Sequence, residues 1–488
     1  MAHVHLSHPA SPPSSAWEGG GQPGKRPRPA PDRPSNGLER GLMAPPAGYD
    51  YDDNPFKLEN PSILDIAPPE PKSVEDTGLK MGILSDIALK YLYYAGTGTG
   101  MGIADEMRLP WPGVIEHVVD FLATEKLVDL RGGKGFGRAS VEFILSEKGR
   151  EYARDALTRT TYVGPAPVPI EQYNALITSQ TEETPVVSQE ELVMALSHLT
   201  VPAELMDKLG PAVNSGRSLF LYGSPGNGKT SLAEAVSHMF GGEVFVPHCL
   251  EIGNQIIQVH DRLIHTPVSL EVGRDASGRR QTFEMDNRWL VCRRPSVVVG
   301  GELTLAMLDL IYSESTRFYE APFQVKANGG MLLIDDFGRQ KVHPTDLLNR
   351  WIVPLEKRVD FLTLHTGKKF EIPFDQLLVF STNLDPKELV DEAFLRRIKY
   401  KIEVGNPDEE AYREIFSRVC EAAGIPYVDQ AVTYLIEHYY KPRSMELRSC
   451  HPRDLVSLIR DAARYRQIPP ALSKDLLDQA CEVFLVNL

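Results

Sequence analysis

An ammonium and a hydroxyl stand side by side at Lys229 and Thr230. They follow a glycine-spaced run, Gly223-Ser224-Pro225-Gly226-Asn227-Gly228, and precede Ser231. The glycines let successive backbone N–H groups turn inward without a Cβ clash, forming a concave nest for phosphate oxygens. Lys229 is placed to reach the β- and γ-phosphates of a nucleotide, and the Thr230 hydroxyl to ligate Mg²⁺. The flanking elements must present that turn. Leu219 to Tyr222 is an apolar run that reads as a buried strand, and residues 231–240 read as an alanine-rich amphipathic helix. The N-terminus of that helix adds N–H donors and a favourable dipole. Strand, G-x-x-x-x-G-K-T and helix together predict a phosphate-binding loop that takes a nucleoside triphosphate, ATP, with Mg²⁺.

Three further stretches carry side chains suited to the same chemistry. Met331-Leu-Leu-Ile-Asp335-Asp336 is an apolar strand ending in two carboxylates. At the C-terminal edge of a parallel sheet these would sit beside the loop, Asp335 supporting the metal and Asp336 orienting or deprotonating water. Leu377 to Asn383 is a second buried strand with a polar end, so Asn383 is a candidate hydrogen-bond partner for the γ-phosphate or the attacking water. Residues 391–398 run from acidic to basic, ending in Arg396-Arg397, which a helix end would project outward.

The chain has 488 residues, 42% hydrophobic and 24% charged, with a net charge of −14. That is ordinary globular composition, long enough for two to four domains, and opposed to a surface coated for nucleic acid. Five scattered cysteines make no C-x-x-C pair and fit reduced thiols. No apolar run is long enough for a bilayer and no secretory signal is legible, so a cytoplasmic location without membrane contact is expected. Residues 1–78 are rich in Pro, Gly and Ser, with His3, His5, His8 and a basic Lys25–Arg28 run, and read as a disordered tail. Residues 161–186 read as a linker.

Residues 79–160 look like a winged-helix domain: helices over 83–94, 102–108 and 111–126, strands over 127–130 and 141–145 around a glycine-rich tip, then a closing helix. DNA binding is the obvious use, yet the helix over 111–126 carries Glu116, Asp120 and Glu125 against Lys126 alone. Phosphates would repel that face, although Arg131, Lys134 and Arg138 supply the wing. Protein docking or dimerisation is the competing use.

The four motifs in this order resemble those of the AAA+ ATPase family. Gly223 to Thr230 matches Walker A, Met331 to Asp336 Walker B, and Ser381-Thr-Asn383 sensor 1, while Arg396-Arg397 stands where the family keeps arginine fingers. Asn406-Pro-Asp-Glu409 would open a helix with its cap, and His451-Pro-Arg-Asp-Leu455 is similar to the sensor 2 segment, which makes Arg453 a candidate γ-phosphate contact. The resemblance implies an α/β fold: a parallel-sheet core over 187–404 and a helical lid over 405–488, preceded by the winged-helix (α+β) domain and the tail. It also implies a ring, commonly a hexamer, in which Arg396 or Arg397 (the latter favoured) completes a neighbour's site. Asp336 stands where the family usually has Glu, one methylene longer, so hydrolysis is expected, either at the usual rate or slowed by the altered water geometry. The long spacing between Lys229 and Asp335 is assigned to an inserted β-hairpin at about 266–301 with arginines 274, 279, 280, 288, 293 and 294, a candidate grip for nucleic acid or an acidic partner. No aromatic pore loop stands near Cys249 to Asn254, which weakens a threading unfoldase. Residues 359–373 resemble the pre-sensor-1 hairpin of one branch, with Lys368 and Lys369 at its tip. The expected output is remodelling of a protein partner; an ATP-switched DNA regulator, helicase or helicase loader is the alternative.

Overall fold

The computed structural model describes residues 61–132, 137–182, 186–239, 241–268, 272–274, 280–281, 284–389 and 392–485. Residues 1–60, with the histidines and the Lys25–Arg28 run of the expected tail, lie outside the described residues, as do Lys134 and Arg279. Residues 61–78 correct the tail's boundary: Ile63 and Thr77 are buried. Proline-rich composition hid them, because the partners that bury Ile63 lie far along the chain, Tyr173 and Trp289 among them.

The first unit packs α1 (Met81–Ala95), α2 (Gly100–Met107), α3 (Glu116–Thr124) and α4 (Glu147–Arg159) on an antiparallel sheet. Its strands are β1 (Thr97–Thr99), β2 (Val128–Arg131) and β3 (Glu142–Leu145), in the order β1-β3-β2. The helix expected over 111–126 is shorter. Pro112 is extended and Gly113 has φ 78°, so regular helix starts only at Glu116. Gly113 also lies where a Cβ would collide with the Lys72 carbonyl.

From residue 168 onward two sheet structures are interleaved. One is a mixed sheet, order β13-β14-β8-β7-β4, built from β4 (Val168–Pro169), β7 (Cys249–Ile252), β8 (Gln255–Gln258), β13 (Ile311–Ser313) and β14 (Phe318–Glu320). With it pack α5 (Ile170–Glu182), the pair β6 (Glu243–Pro247) and β11 (Trp289–Arg293), and the hairpin β16 (Val359–Thr363) and β17 (Lys369–Pro373). A further pair, β9 (Val272–Arg274) and β10 (Arg280–Gln281), runs antiparallel, while the turn expected between them is outside the described residues. The stretch read as a linker is therefore largely structural, since Tyr173 and Ile177 of α5 are buried in this core. The hairpin also contributes one face, Leu362, Leu364 and Ile372, to it.

The other structure is a five-stranded parallel sheet in the order β12-β15-β18-β5-β19. Its strands are β5 (Ser218–Tyr222), β12 (Ser296–Val299), β15 (Met331–Ile334), β18 (Leu377–Thr382) and β19 (Tyr400–Glu403). Burial on both faces explains their continuous apolar runs. Leu219, Leu221, Leu333 and Val379 face α6 (Gln189–Ala195), α7 (Ala203–Asn214) and α8 (Lys229–Met239). Phe220, Leu332 and Phe380 face Trp351, which joins α10 (Pro344–Arg350) to α11 (Ile352–Lys357). Short helices α9 (Phe323–Lys326), α12 (Pro386–Leu389) and α13 (Glu392–Leu395) complete the core. The insert expected at 266–301 has different limits, because Ser296–Val299 is the edge strand of this sheet, in register with Met331–Ile334. Nor do its arginines form one gripping face: Arg288 is buried, and Arg294 donates to the carbonyls of Gly241 and Gly329.

The C-terminal region is helical: α14 (Glu409–Ala423), α15 (Asp429–Leu435), a π-type turn over Ile436–Tyr440, α16 (His451–Arg466) and α17 (Lys474–Phe484). Asp408, and not Asn406, caps α14 by accepting from the Ala411 N–H at 2.8 Å. The Asn406 amide is engaged elsewhere.

Candidate nucleotide site

The loop leaves β5 at Gly223 (φ 138°) and turns again at Gly226 (φ 86°) and Gly228 (φ 80°) before α8 begins at Lys229. At Gly223 a Cβ would strike the Val404 carbonyl, so only glycine lets β5 pass so close to the end of β19.

Lys229 is buried, and its Nζ donates to the carbonyls of Gly223 (3.0 Å) and Ser224 (2.9 Å) and to Asn383 Oδ1 (2.6 Å). Burial lowers its pKa, while the nearby Asp335 and Asp336 carboxylates act to raise it. The Thr230 hydroxyl donates to Asp335 Oδ2 at 2.9 Å. Asn383 Nδ2 donates to Asp336 Oδ1 at 3.2 Å, so one amide links the lysine to the second carboxylate. Asp336 is exposed with φ 49°, a left-handed backbone that tips its side chain off the line of β15. Parallel pairing of β15 with β18, and of β18 with β5, brings these groups together, since all three strands end on the same edge.

The cleft above them measures about 620 Å³. Its walls include Thr200 to Pro202 ahead of α7, Pro225 to Ser231, Asp335 and Asp336, Asn383, and Arg453 in the first turn of α16. Arg453 is exposed and lies 3.6 Å from Asp454. Arg396 and Arg397 follow α13 and do not line this cleft. Arg396 is exposed, whereas Arg397 is tied to Glu356 at 2.7 Å. Two features escaped sequence reading. Gln340 donates to the Asp335 carbonyl at 2.8 Å, and the strap 446–450 meets the loop through Ser449 and Cys450. Neither carries a motif; both depend on chain segments meeting in space.

Fold and site define a P-loop nucleotide hydrolase. Residues 219–284 match the model of the ATPase family associated with various cellular activities (AAA), and the chain carries an AAA+ ATPase core. Residues 408–483 match a domain of unknown function (DUF8689). No curated protein matches the sequence. Among solved structures the chain is similar to the Thermotoga maritima RuvB Holliday junction branch migration motor, at 14% identity, covering 62% of this chain and 71% of that one, with TM-score 0.31. It is also similar to NtrX from Brucella abortus, at 15% identity, 68% and 66% coverage and TM-score 0.35. NtrX in complex with ADP matches at 16% identity, 68% and 65% coverage and TM-score 0.34. Likenesses this slight carry no argument about partners. Among the described residues no helix is long and apolar enough to cross a membrane.

Proposed function

We propose that this ATPase uses hydrolysis to remodel a bound protein partner in the cytoplasm, as a homo-oligomeric ring and commonly a hexamer. Lys229 exchanges its bonds to Gly223, Ser224 and Asn383 for phosphate oxygens when ATP enters. Asn383 is then released to act on the γ-phosphate, and Asp336 holds the attacking water and accepts its proton. Thr230 Oγ1 and Asp335 Oδ2, adjacent hard oxygen donors, fit Mg²⁺. When bound, the cation neutralises developing phosphate charge. Arg453 contacts the γ-phosphate from the lid. Arg396 is preferred over Arg397 as the residue completing a neighbour's site, because Glu356 already holds Arg397.

The partner assignment rests on the face of α3. Arg138, the wing arginine among the described residues nearest that helix, folds back onto Asp120 and lies 3.6 Å from Glu116. A winged-helix reading of residues 79–160 thus has its expected reading helix acidic and one wing charge already spent on it, which suits a protein partner better than phosphates. DNA binding titrated over a series of salt concentrations, with and without ATP, tests this. We expect no salt-dependent affinity. A linear fall of log affinity with log salt, with a slope of several, would replace this reading with the DNA-regulator alternative.

A further inference from the structure

Asn227 stands between the second and third glycines of the loop, and its side chain takes no part in the phosphate cradle. The carboxamide is buried. Its Nδ2 donates to Asn406 Oδ1 at 2.8 Å and to the Val404 carbonyl at 3.5 Å, while its Oδ1 accepts from the Ser449 N–H at 3.4 Å. Asn406 in turn donates to Glu446 Oε2 at 2.8 Å. Beside it, the Gly226 carbonyl accepts from the Cys450 N–H at 2.8 Å. The Cys450 Sγ occupies the space a Cβ on Gly226 would need, 2.5 Å from that position. Ser449 and Cys450 immediately precede α16, whose third residue is Arg453.

We propose that Asn227 is a positioning residue that couples occupancy of the loop to the placement of the strap 446–450 and the start of α16. Its backbone belongs to the phosphate cradle and its side chain to the lid, so the two cannot move independently. A buried amide engaged at both ends resists losing either partner, since each unpaired group would be left desolvated. Asn406 and Glu446 extend the link, and Arg453 is carried with it. The proposal rests on the nucleotide-site reading.

Amide hydrogen exchange of the full chain, with and without ADP, tests it. In the wild type ADP should slow exchange over residues 446–453 about tenfold. Glu446→Ala and Asn406→Ala should still bind ADP within about tenfold of the wild type, the size of a typical coupling, yet lose that slowing. Glu446→Gln keeps an acceptor for Asn406 and should restore it. Asn227→Ala combined with Asn406→Ala should lower kcat no further than either alone, with KM little moved. Normal slowing in both single variants with ADP bound would overturn the proposal. So would loss of ADP binding beyond tenfold in Glu446→Ala, which would make the network part of the binding site itself. Failure of the wild type to bind ADP, or unimpaired binding by Lys229→Ala, would instead overturn the nucleotide-site reading.

Discussion

Replacing Arg288 with methionine removes a buried charge of the mixed-sheet structure that is bonded to four residues. Its guanidinium is 1% exposed and pairs with Asp286 at 2.7 Å. It also donates to the carbonyls of Thr77 (2.9 Å) and Pro167 (3.1 Å) and to Gln172 Oε1 (3.2 Å). Those partners come from the segment before α1, the start of β4 and the helix α5, so one side chain fastens three remote stretches to the strand β11. Methionine approximates the volume and returns none of the bonds. Leaving one member of a buried pair costs about 3–5 kcal/mol, and each orphaned buried carbonyl about 1–3 more before water relieves it. These costs sum to about 5–11 kcal/mol, and water reaching the carbonyls brings the expected loss for Arg288→Met to the low end, about 5 kcal/mol or more. Denaturant unfolding followed by tryptophan fluorescence is a direct assay, because the neighbouring Trp289 is buried and stacks on Tyr173 with ring centroids 6.2 Å apart. Removing Asp286 as well, as Asp286→Leu, should recover part of the loss by eliminating the stranded carboxylate. A stability within about 0.5 kcal/mol of the wild type, the range of an ordinary surface substitution, would refute the reasoning. Arg288 would then have to be read as a binding residue after all.

Two further predictions concern acid stability and the proposed trans arginine. Burial, reinforced by neighbouring positive groups, holds His248 down at about 3, His260 at about 4 and His451 at about 4, against an ordinary 6.5. The unfolded chain therefore takes up protons that the folded chain refuses. Stability should fall as pH drops below about 6.5 and level off near 4 to 3, by at most about 1.4 kcal/mol per pH unit for each histidine. Thermal unfolding at stepped pH checks this, and His248→Gln should flatten the profile. Arg396→Ala should lower the ATPase rate about 10³-fold or more while ADP still binds, whereas Arg397→Ala should act mainly by freeing Glu356. Steady-state rates beside ADP titrations separate the two, and the opposite ranking would restore Arg397 to the trans role.

Much of the candidate nucleotide site was legible because its parts are local. A phosphate nest is made of consecutive backbone groups, so Gly223, Gly226, Gly228, Lys229 and Thr230 show themselves by spacing alone. Asp335 and Asn383 show themselves as polar ends of apolar runs, which a doubly covered parallel strand requires. Segments judged by composition fared worse. Residues 61–78 and 161–186 contain prolines at a density typical of tails and linkers, yet Ile63 and Tyr173 are buried by partners that no local window contains. The edge strand Ser296–Val299 was absorbed into an expected insert for the same reason, since only its register with β15 marks it as core.

Sequence by itself singled out the groups proposed to meet phosphate, because that chemistry is encoded within eight consecutive residues and two strand ends. Tertiary structure alone decided which charges are free. Arginines 288, 294 and 397 look like solvated or reaching side chains when read in line, and folding gives each a partner from a distant segment: the Thr77 carbonyl, the Gly329 carbonyl and Glu356. The same holds for Asn227, whose place in the motif speaks only of its backbone. Its side chain acquires a role where β19, the lid strap and the loop converge, and convergence of that kind has no signature along the chain.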